Sequence, residues 1–226
     1  MCGICMSSGG GRVSALRADD GALGASPPVV AVGTPDAALQ LLVEGNRRYV
    51  ANDPRERDFS AGRASRALGQ APFAAILGCA DSRVSPELAF DQGPGDVFVV
   101  RLAGNFVTDE GLASLEFGAA VLGTKLILVL GHTACGAVNA ALTALKDGNG
   151  FPGHIADLVE TIMPGVQPAL GGAAETLADR AVIANVRHNV ERLRTAGPII
   201  ADLVAKGELK VVGGVYDLAT GRVDLV

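Results

Sequence analysis

Three short apolar segments constrain the fold more than any other feature of this sequence. They are residues 73–78, 96–101 and 125–130, and their interiors are apolar without the polar–apolar alternation of a half-exposed strand. A strand that is apolar on both sides fits a sheet whose two faces are both covered, as in parallel sheets flanked by helices. Segments with helical periodicity separate the three, which predicts strand–helix–strand units with right-handed crossovers.

Capping residues predict where the helices begin and end. Thr34 followed by Pro35 predicts a helix to about residue 49, and Thr108 begins a second helix that stops by Gly123. Further helices are predicted over about 85–90, 135–146, 153–163, 174–194 and 198–207, and a final strand pair over 209–216 and 222–226. The fold class is therefore α/β: a single domain with a central, mostly parallel sheet flanked by helices, an N-terminal helical arm and a C-terminal strand extension.

The first residues differ in composition from the rest of the chain. Residues 1–33 are rich in Gly, Ser, Ala and Pro, with too little periodic apolar content to pack, so they are predicted to form a flexible N-terminal tail. Residues 34–226 are predicted to be the folded domain. Cys2 and Cys5 form a CxxC motif in this tail, where no predicted strand or helix positions it for redox or zinc chemistry.

Charge and hydropathy exclude several classes of partner. The net charge is −5, and acidic and basic residues are mixed along the chain, so no nucleic acid or anionic membrane partner is expected. No apolar run approaches the roughly 20 residues that a membrane-spanning helix needs. Residues 1–6 do not resemble a secretory signal, and the four cysteines are too unevenly spaced for a disulfide framework. We therefore expect a cytoplasmic protein with reduced thiols.

Two of the predicted strands are followed by residues that bind metals. Cys79 directly follows the first apolar segment, and His132 and Cys135 follow the third. In open parallel sheets, ligands bind where loops leave the carboxyl ends of strands, so these side chains converge if the two strands are neighbours. Two thiolates and one imidazole are the ligand set of a catalytic zinc ion with an open fourth position. The alternative is two ordinary buried thiols and a buried histidine.

Asp81 and Arg83 stand beside the first cysteine. Zn²⁺ with two thiolates and a neutral imidazole is formally neutral, so a bound water can still ionise to a nucleophilic hydroxide. Asp81 as a fourth ligand would close the site, whereas an ion pair with Arg83 would hold Asp81 away and let it accept the hydroxide's hydrogen. We expect the closed arrangement at low pH and the open one at higher pH. The alternative is a surface ion pair of little consequence.

The motifs taken together closely resemble those of the β-class carbonic anhydrases. They are Cys-Ala-Asp-Ser-Arg at 79–83, Arg-Leu-Ala-Gly-Asn at 101–105 and His-Thr-Ala-Cys-Gly at 132–136, and the resemblance runs from about residue 34 to the C-terminus. It implies reversible hydration of CO₂ to bicarbonate and a proton by a zinc-bound hydroxide. Cys79, His132 and Cys135 would bind the zinc ion, and Asp81 with Arg83 would be the catalytic dyad.

The same resemblance implies a substrate pocket and an assembly. Gln92 would hydrogen-bond the substrate, Val84 and Phe117 would form apolar walls, and Gly136 would also contact the substrate. Ile76 stands where some members carry a tryptophan, so their regulatory bicarbonate pocket is not expected here. An N-terminal helix would wrap onto a partner subunit in a homodimer or a larger even-numbered homo-oligomer.

Two other functions fit the same motifs. The hydroxide could instead hydrolyse a CO₂ analogue such as carbonyl sulfide or carbon disulfide. A non-catalytic zinc- or bicarbonate-sensing module is the third reading, but the presence of both Asp81 and Arg83 favours an enzyme.

Overall fold

The computed structural model describes residues 32–148, 150–171 and 176–226. Most of the predicted N-terminal tail, including Cys2 and Cys5, lies outside these residues. The described chain forms one five-stranded sheet with helices on both faces. This confirms the predicted α/β class.

The strands lie in the order β2-β1-β3-β4-β5. They are β1 (Ala74–Gly78), β2 (Val97–Arg101), β3 (Leu126–His132), β4 (Lys210–Tyr216) and β5 (Val223–Leu225). The first four are parallel, and β5 is antiparallel to β4. β1 and β3 are direct neighbours, with Gly78 opposite Leu130. The residues that follow these two strands therefore emerge at the same edge of the sheet.

The predicted helices are all present in the described residues. Together with a short helix, α2 (Arg63–Arg66), that lies outside the helix ranges predicted above, they are α1 (Pro35–Val50), α3 (Pro86–Ala89), α4 (Asp109–Ala120), α5 (Gly136–Asp147), α6 (His154–Val166), α7 (Leu177–Arg194) and α8 (Ile199–Ala205). Both predicted threonine caps are confirmed, because Thr34 Oγ1 accepts a hydrogen bond from the Ala37 N–H and Thr108 Oγ1 accepts one from the Gly111 N–H.

Two elements extend past their predicted ends. α6 continues through Pro164 to Val166 because Gly165 and Val166 are buried with Ile162, and this burial outweighs the hydrogen bond that the proline removes. β3 runs through His132, which was predicted to lie in the following turn, because Tyr216 of β4 pairs with it. His132 is therefore fixed by the sheet itself.

The core has three parts, which follow the alternation of side chains along the strands. Leu77 of β1 packs with α4 and α7 on one face, and Ile76 packs with α1 on the other. The third part lies beyond the carboxyl ends of the strands, where Cys79 and Cys135 pack with apolar residues of α5 and α6. Within the described residues, no helix is long and apolar enough to span a bilayer.

Candidate metal centre

The three predicted ligands converge at the carboxyl ends of β1 and β3. The sulfurs of Cys79 and Cys135 and a ring nitrogen of His132 all lie within 4.8 Å of one another. Their exposed fractions are 4% for Cys79, 0% for His132 and 1% for Cys135. Cys79 directly follows β1, His132 ends β3, and Cys135 is the residue immediately before α5. The predicted convergence is confirmed.

The hydrogen bonding of His132 leaves one ring nitrogen available. Nδ1 lies 2.9 Å from the carbonyl oxygen of Thr133, which can only accept, so Nδ1 carries the proton and donates it. Nε2 is then an acceptor, and it is buried without a hydrogen-bond partner among the described residues. Burying an unpaired acceptor is unfavourable, whereas a histidine that binds a metal typically donates its other N–H to a carbonyl in this way. The imidazole therefore fits a metal ligand.

The two thiols are electrostatically linked. The hydrogen bond from Cys135 lowers the pKa of Cys79 to about 4, although burial opposes this change. The same hydrogen bond, together with burial, raises the pKa of Cys135. Burial acts to lower the pKa of His132, but the adjacent Cys79 sulfur, the hydrogen bond with the Thr133 carbonyl and the charge of Asp81 together outweigh burial and raise it. A divalent cation that displaced the thiol protons would find two thiolates and an imidazole, a donor set that fits zinc.

Asp81 is held beside these groups by Arg83. Arg83 donates to Oδ1 of Asp81 from Nε at 2.9 Å and from its backbone N–H at 2.9 Å, and to Oδ2 from Nη2 at 2.6 Å. The guanidinium holds the pKa of Asp81 well below its usual range, although burial acts in the opposite direction. Oδ2 of Asp81 also lies 3.8 Å from Nε2 of His132. The site therefore contains an ionised carboxylate next to the metal-ligand candidates.

Arg101 fixes the turn that carries Cys79 and Asp81. Its Nε donates to the carbonyl of Cys79 at 2.9 Å, and its Nη2 donates to the carbonyls of Asp81 at 2.6 Å and Val84 at 2.8 Å. This positioning role was not predicted from the sequence. The available sequence signal was an arginine at the end of an otherwise apolar strand, where a charged side chain needs specific partners.

The predicted substrate contacts lie in different surroundings. Gly136 begins α5, and the space beside its Cα is open. Val84 is buried in the core beneath α1, whereas Phe117 lies on α4 with 49% of its surface exposed. Gln92 donates from Nε2 to the Phe90 carbonyl at 2.7 Å, on the side of the sheet that α1 covers. The substrate roles of these four residues stay predictions.

Comparison with known proteins places the chain in a family. The family model described as "Carbonic anhydrase" matches residues 74–223, a range that includes all three ligand candidates and both Asp81 and Arg83. "Carbonic anhydrase 2" of Mycobacterium tuberculosis is 44% identical over 191 residues, which cover 83% of this chain and 91% of that protein.

Solved structures show the same fold. The Coccomyxa β-carbonic anhydrase in complex with acetazolamide is 33% identical and superposes with a TM-score of 0.65, covering 83% of this chain and 86% of that one. A second structure comes from a study of two tetrameric β-carbonic anhydrases of Sordaria macrospora. It is 28% identical with a TM-score of 0.63, covering 73% of this chain and 86% of that one. The chain belongs to the carbonic anhydrase family, in its β class, and is an enzyme of that family.

Proposed function

We propose that the protein catalyses the reversible hydration of CO₂ to bicarbonate and a proton, with a zinc ion held by Cys79, His132 and Cys135. The observation that carries this proposal is the meeting of two cysteines and a histidine within 4.8 Å, beside a carboxylate bound by an arginine. Two thiols and a histidine alone would suit a structural zinc site. Here the ionised Asp81 adds a group that can accept a hydrogen bond from a reacting water molecule.

The protein's own residues prepare the site for a metal. The Thr133 carbonyl fixes the tautomer of His132, so that Nε2 presents its lone pair. The Gly104 N–H donates to Sγ of Cys79 at 3.2 Å and stabilises its negative charge. Zinc bound by this donor set would supply the Lewis acidity that lets a water molecule ionise near neutral pH.

Asp81 would orient the nucleophile. An ionised carboxylate can only accept hydrogen bonds, so Asp81 holds an attacking water by its hydrogen and turns the oxygen lone pair towards the carbon of CO₂. Arg83 keeps the carboxylate charged and in place through its three hydrogen bonds. Asp81 as a fourth metal ligand would require these bonds to break, which makes Arg83 the residue that favours the open site.

Stopped-flow CO₂ hydration tests the proposal. The purified protein should hydrate CO₂, lose that activity when a chelator removes the metal, and regain it when zinc is added. His132→Ala should abolish activity, whereas His154→Ala should retain it, because His154 is fully exposed and belongs to no metal-ligand cluster of the described residues. Turnover of carbonyl sulfide or carbon disulfide but not CO₂ would identify an analogue hydrolase, and zinc binding with no turnover would identify a sensor. Either result would contradict the proposal.

We also propose that the protein forms a homodimer or a larger even-numbered homo-oligomer in the cytoplasm. Exposed apolar side chains support an interface, namely Phe117 on α4, Val121 directly after α4, and Leu88 on α3. The related Sordaria macrospora proteins are described as tetrameric. Light scattering coupled to size-exclusion chromatography would measure the assembly, and a monomeric mass would contradict it. Recovery of the protein outside the cytosolic fraction would contradict the location.

A further inference from the structure

Two buried asparagines of α7 face the segment that follows β2. Asn185 and Asn189 lie one helical turn apart, and each is 1% exposed. Polar side chains at such depth are unfavourable unless they are hydrogen-bonded, so their partners indicate what they do. Those partners all lie within residues 104–107 or within the pair itself.

The hydrogen bonds of the pair fix the orientation of both side-chain amides. The Val107 N–H donates to Oδ1 of Asn189 at 2.9 Å. Nδ2 of Asn189 then donates to the carbonyl of Asn185 at 2.9 Å and to its Oδ1 at 3.2 Å. Nδ2 of Asn185 donates to the Gly104 carbonyl at 2.9 Å. Because a backbone N–H can only donate and a carbonyl can only accept, the two ends of this chain leave a single arrangement of the amides.

Gly104 connects the asparagine pair to the metal centre. Its carbonyl accepts from Asn185, and its N–H donates to Sγ of Cys79 at 3.2 Å. Both groups flank the same Cα, which has a positive φ of +88°. The hydrogen bond from Asn185 to the Gly104 carbonyl therefore limits rotation about the N–Cα and Cα–C bonds of Gly104. Rotation about these bonds sets the direction of the Gly104 N–H relative to the sulfur.

Close packing against α6 holds both partners in place. A Cβ on Gly104 would lie 2.5 Å from Cδ1 of Ile162, and a Cβ on Gly165 would lie 2.8 Å from Oδ1 of Asn185. Ile162 and Gly165 are three residues apart and therefore share one face of the helix. Gly104 and Asn185 can shift little in that direction without a collision.

We propose that Asn185 is a positioning residue of the metal centre, which keeps the Gly104 N–H on the sulfur of Cys79 and so holds this sulfur in place for a bound metal. The proposal rests on metal binding by the site proposed above. Hydrogen bonds to a ligand sulfur tune the metal it binds, and partners outside the first coordination shell typically change metal affinity or activity by about 10- to 100-fold. Asn185 would act without touching metal or substrate.

Substitution of Asn185 with a matched control tests this role. Asn185→Leu removes the amide at similar volume, and Asn185→Ser is a smaller replacement whose hydroxyl is too short to reach Gly104. The control is Asn46→Leu: Asn46 is also a buried helical asparagine, and its Nδ2 donates to the carbonyls of Ala89 at 2.9 Å and Gly221 at 2.8 Å. It lies on α1, across the sheet from α7. All three variants lose buried hydrogen bonds, but only two of them release Gly104.

The readouts are zinc affinity, by competition with a chromogenic chelator, and the sulfur-to-metal charge-transfer absorption of the cobalt-substituted protein. Both Asn185 variants should bind zinc about 10- to 100-fold more weakly and show a shifted charge-transfer band. Asn46→Leu should unfold more readily but keep the wild-type zinc affinity and charge-transfer band.

Wild-type zinc affinity and absorption in a folded Asn185 variant, or equal changes in Asn46→Leu, would overturn the proposal. A wild-type protein that binds metal but does not hydrate CO₂ would refute the proposed function alone, whereas one that binds no metal would refute both.

Discussion

Two clusters of buried polar groups, one around Asp91 and one in the metal centre, differ in whether their atoms have hydrogen-bond partners. Asp91, which is 3% exposed, accepts hydrogen bonds from Arg48 and Arg57 and from the backbone N–H of Arg55. Both of its carboxylate oxygens are therefore bound. In the metal centre, Nε2 of His132 is equally buried but has no hydrogen-bond partner in the described chain.

This difference indicates that Asp91 stabilises the fold, whereas Nε2 of His132 is suited to binding a ligand. A buried carboxylate that accepts hydrogen bonds from nearby donors of the protein needs no further partner. Removing one group of such a cluster leaves the other groups desolvated and unpaired. A buried acceptor without a donor is tolerated when binding something else repays its cost. The Asp91 cluster should therefore affect stability without affecting catalysis, and the metal centre should do the reverse.

The largest expected effect comes from breaking the metal centre. Cys79→Ser should abolish stoichiometric zinc binding and lower the rate of CO₂ hydration by about a thousandfold or more, because it removes a soft ligand and several kcal/mol of charge stabilisation. Metal analysis of the purified variant and stopped-flow kinetics measure the two effects. Asp91→Asn is the matched control and should keep its zinc. A Cys79→Ser protein that hydrates CO₂ at the wild-type rate would show that the cluster is not the catalytic centre.

A second variant separates catalysis from metal binding within the same site. Asp81→Asn keeps the side-chain shape but removes the charged acceptor, so kcat/KM should fall by about a hundredfold while zinc content is unchanged. Ser82→Ala is the control, since Ser82 is the exposed residue between Asp81 and Arg83. Full activity in Asp81→Asn would exclude Asp81 from the reaction.

The third prediction breaks the Asp91 cluster instead. Asp91→Asn leaves Arg48 and Arg57 without their carboxylate partner, so the free energy of unfolding should fall by about 1–3 kcal/mol. Urea denaturation measures the change, and zinc affinity should stay at the wild-type value. Asp224→Asn is the control, because its ion pair with Arg222 is exposed and should contribute much less. Equal destabilisation by the two substitutions would contradict a special role for Asp91.

The smallest predicted effect is the pH dependence of that stabilisation. Burial acts to raise the pKa of Asp91, but the hydrogen bonds from Arg57, Arg48 and the Arg55 backbone N–H, together with the charge of Arg57, outweigh it and lower the pKa. The stabilisation is therefore present above the unfolded pKa of about 3.9 and is lost as pH falls through the lower folded value. Urea unfolding of the wild type and of Asp91→Asn from pH 6 to pH 3 should show the difference between them shrinking. A constant difference would mean that ionisation of Asp91 does not stabilise the fold.

Local sequence patterns predicted most of the fold and the chemical identity of the site. Apolar segments gave β1 and β3, threonine caps gave the starts of α1 and α4, and the cysteine and histidine motifs gave the ligand candidates. The patterns could not establish that the ligands meet, because this depends on Gly78 lying opposite Leu130, a pairing between residues distant in sequence. From the sequence, convergence of these residues was conditional on the two strands being neighbours, and the structure shows that they are.

The residues that sequence reasoning missed are polar residues whose partners are remote. Asp91 is bound by Arg48 and Arg57, which lie 43 and 34 residues away along the chain. Asn185 and Asn189 belong to a predicted helix, where asparagines usually face solvent. Their spacing of four residues beside the buried Val182 and Val186 was the available signal, since it places them on the buried face of α7.

X-ray absorption at the zinc edge of the purified protein tests the central claim most directly. If Cys79, His132 and Cys135 hold the metal, the first shell should contain two sulfur atoms at about 2.3 Å, one imidazole nitrogen at about 2.0–2.1 Å and one further light atom. A protein without zinc, or a first shell of nitrogen and oxygen alone, would contradict the claim that these residues form the catalytic metal site.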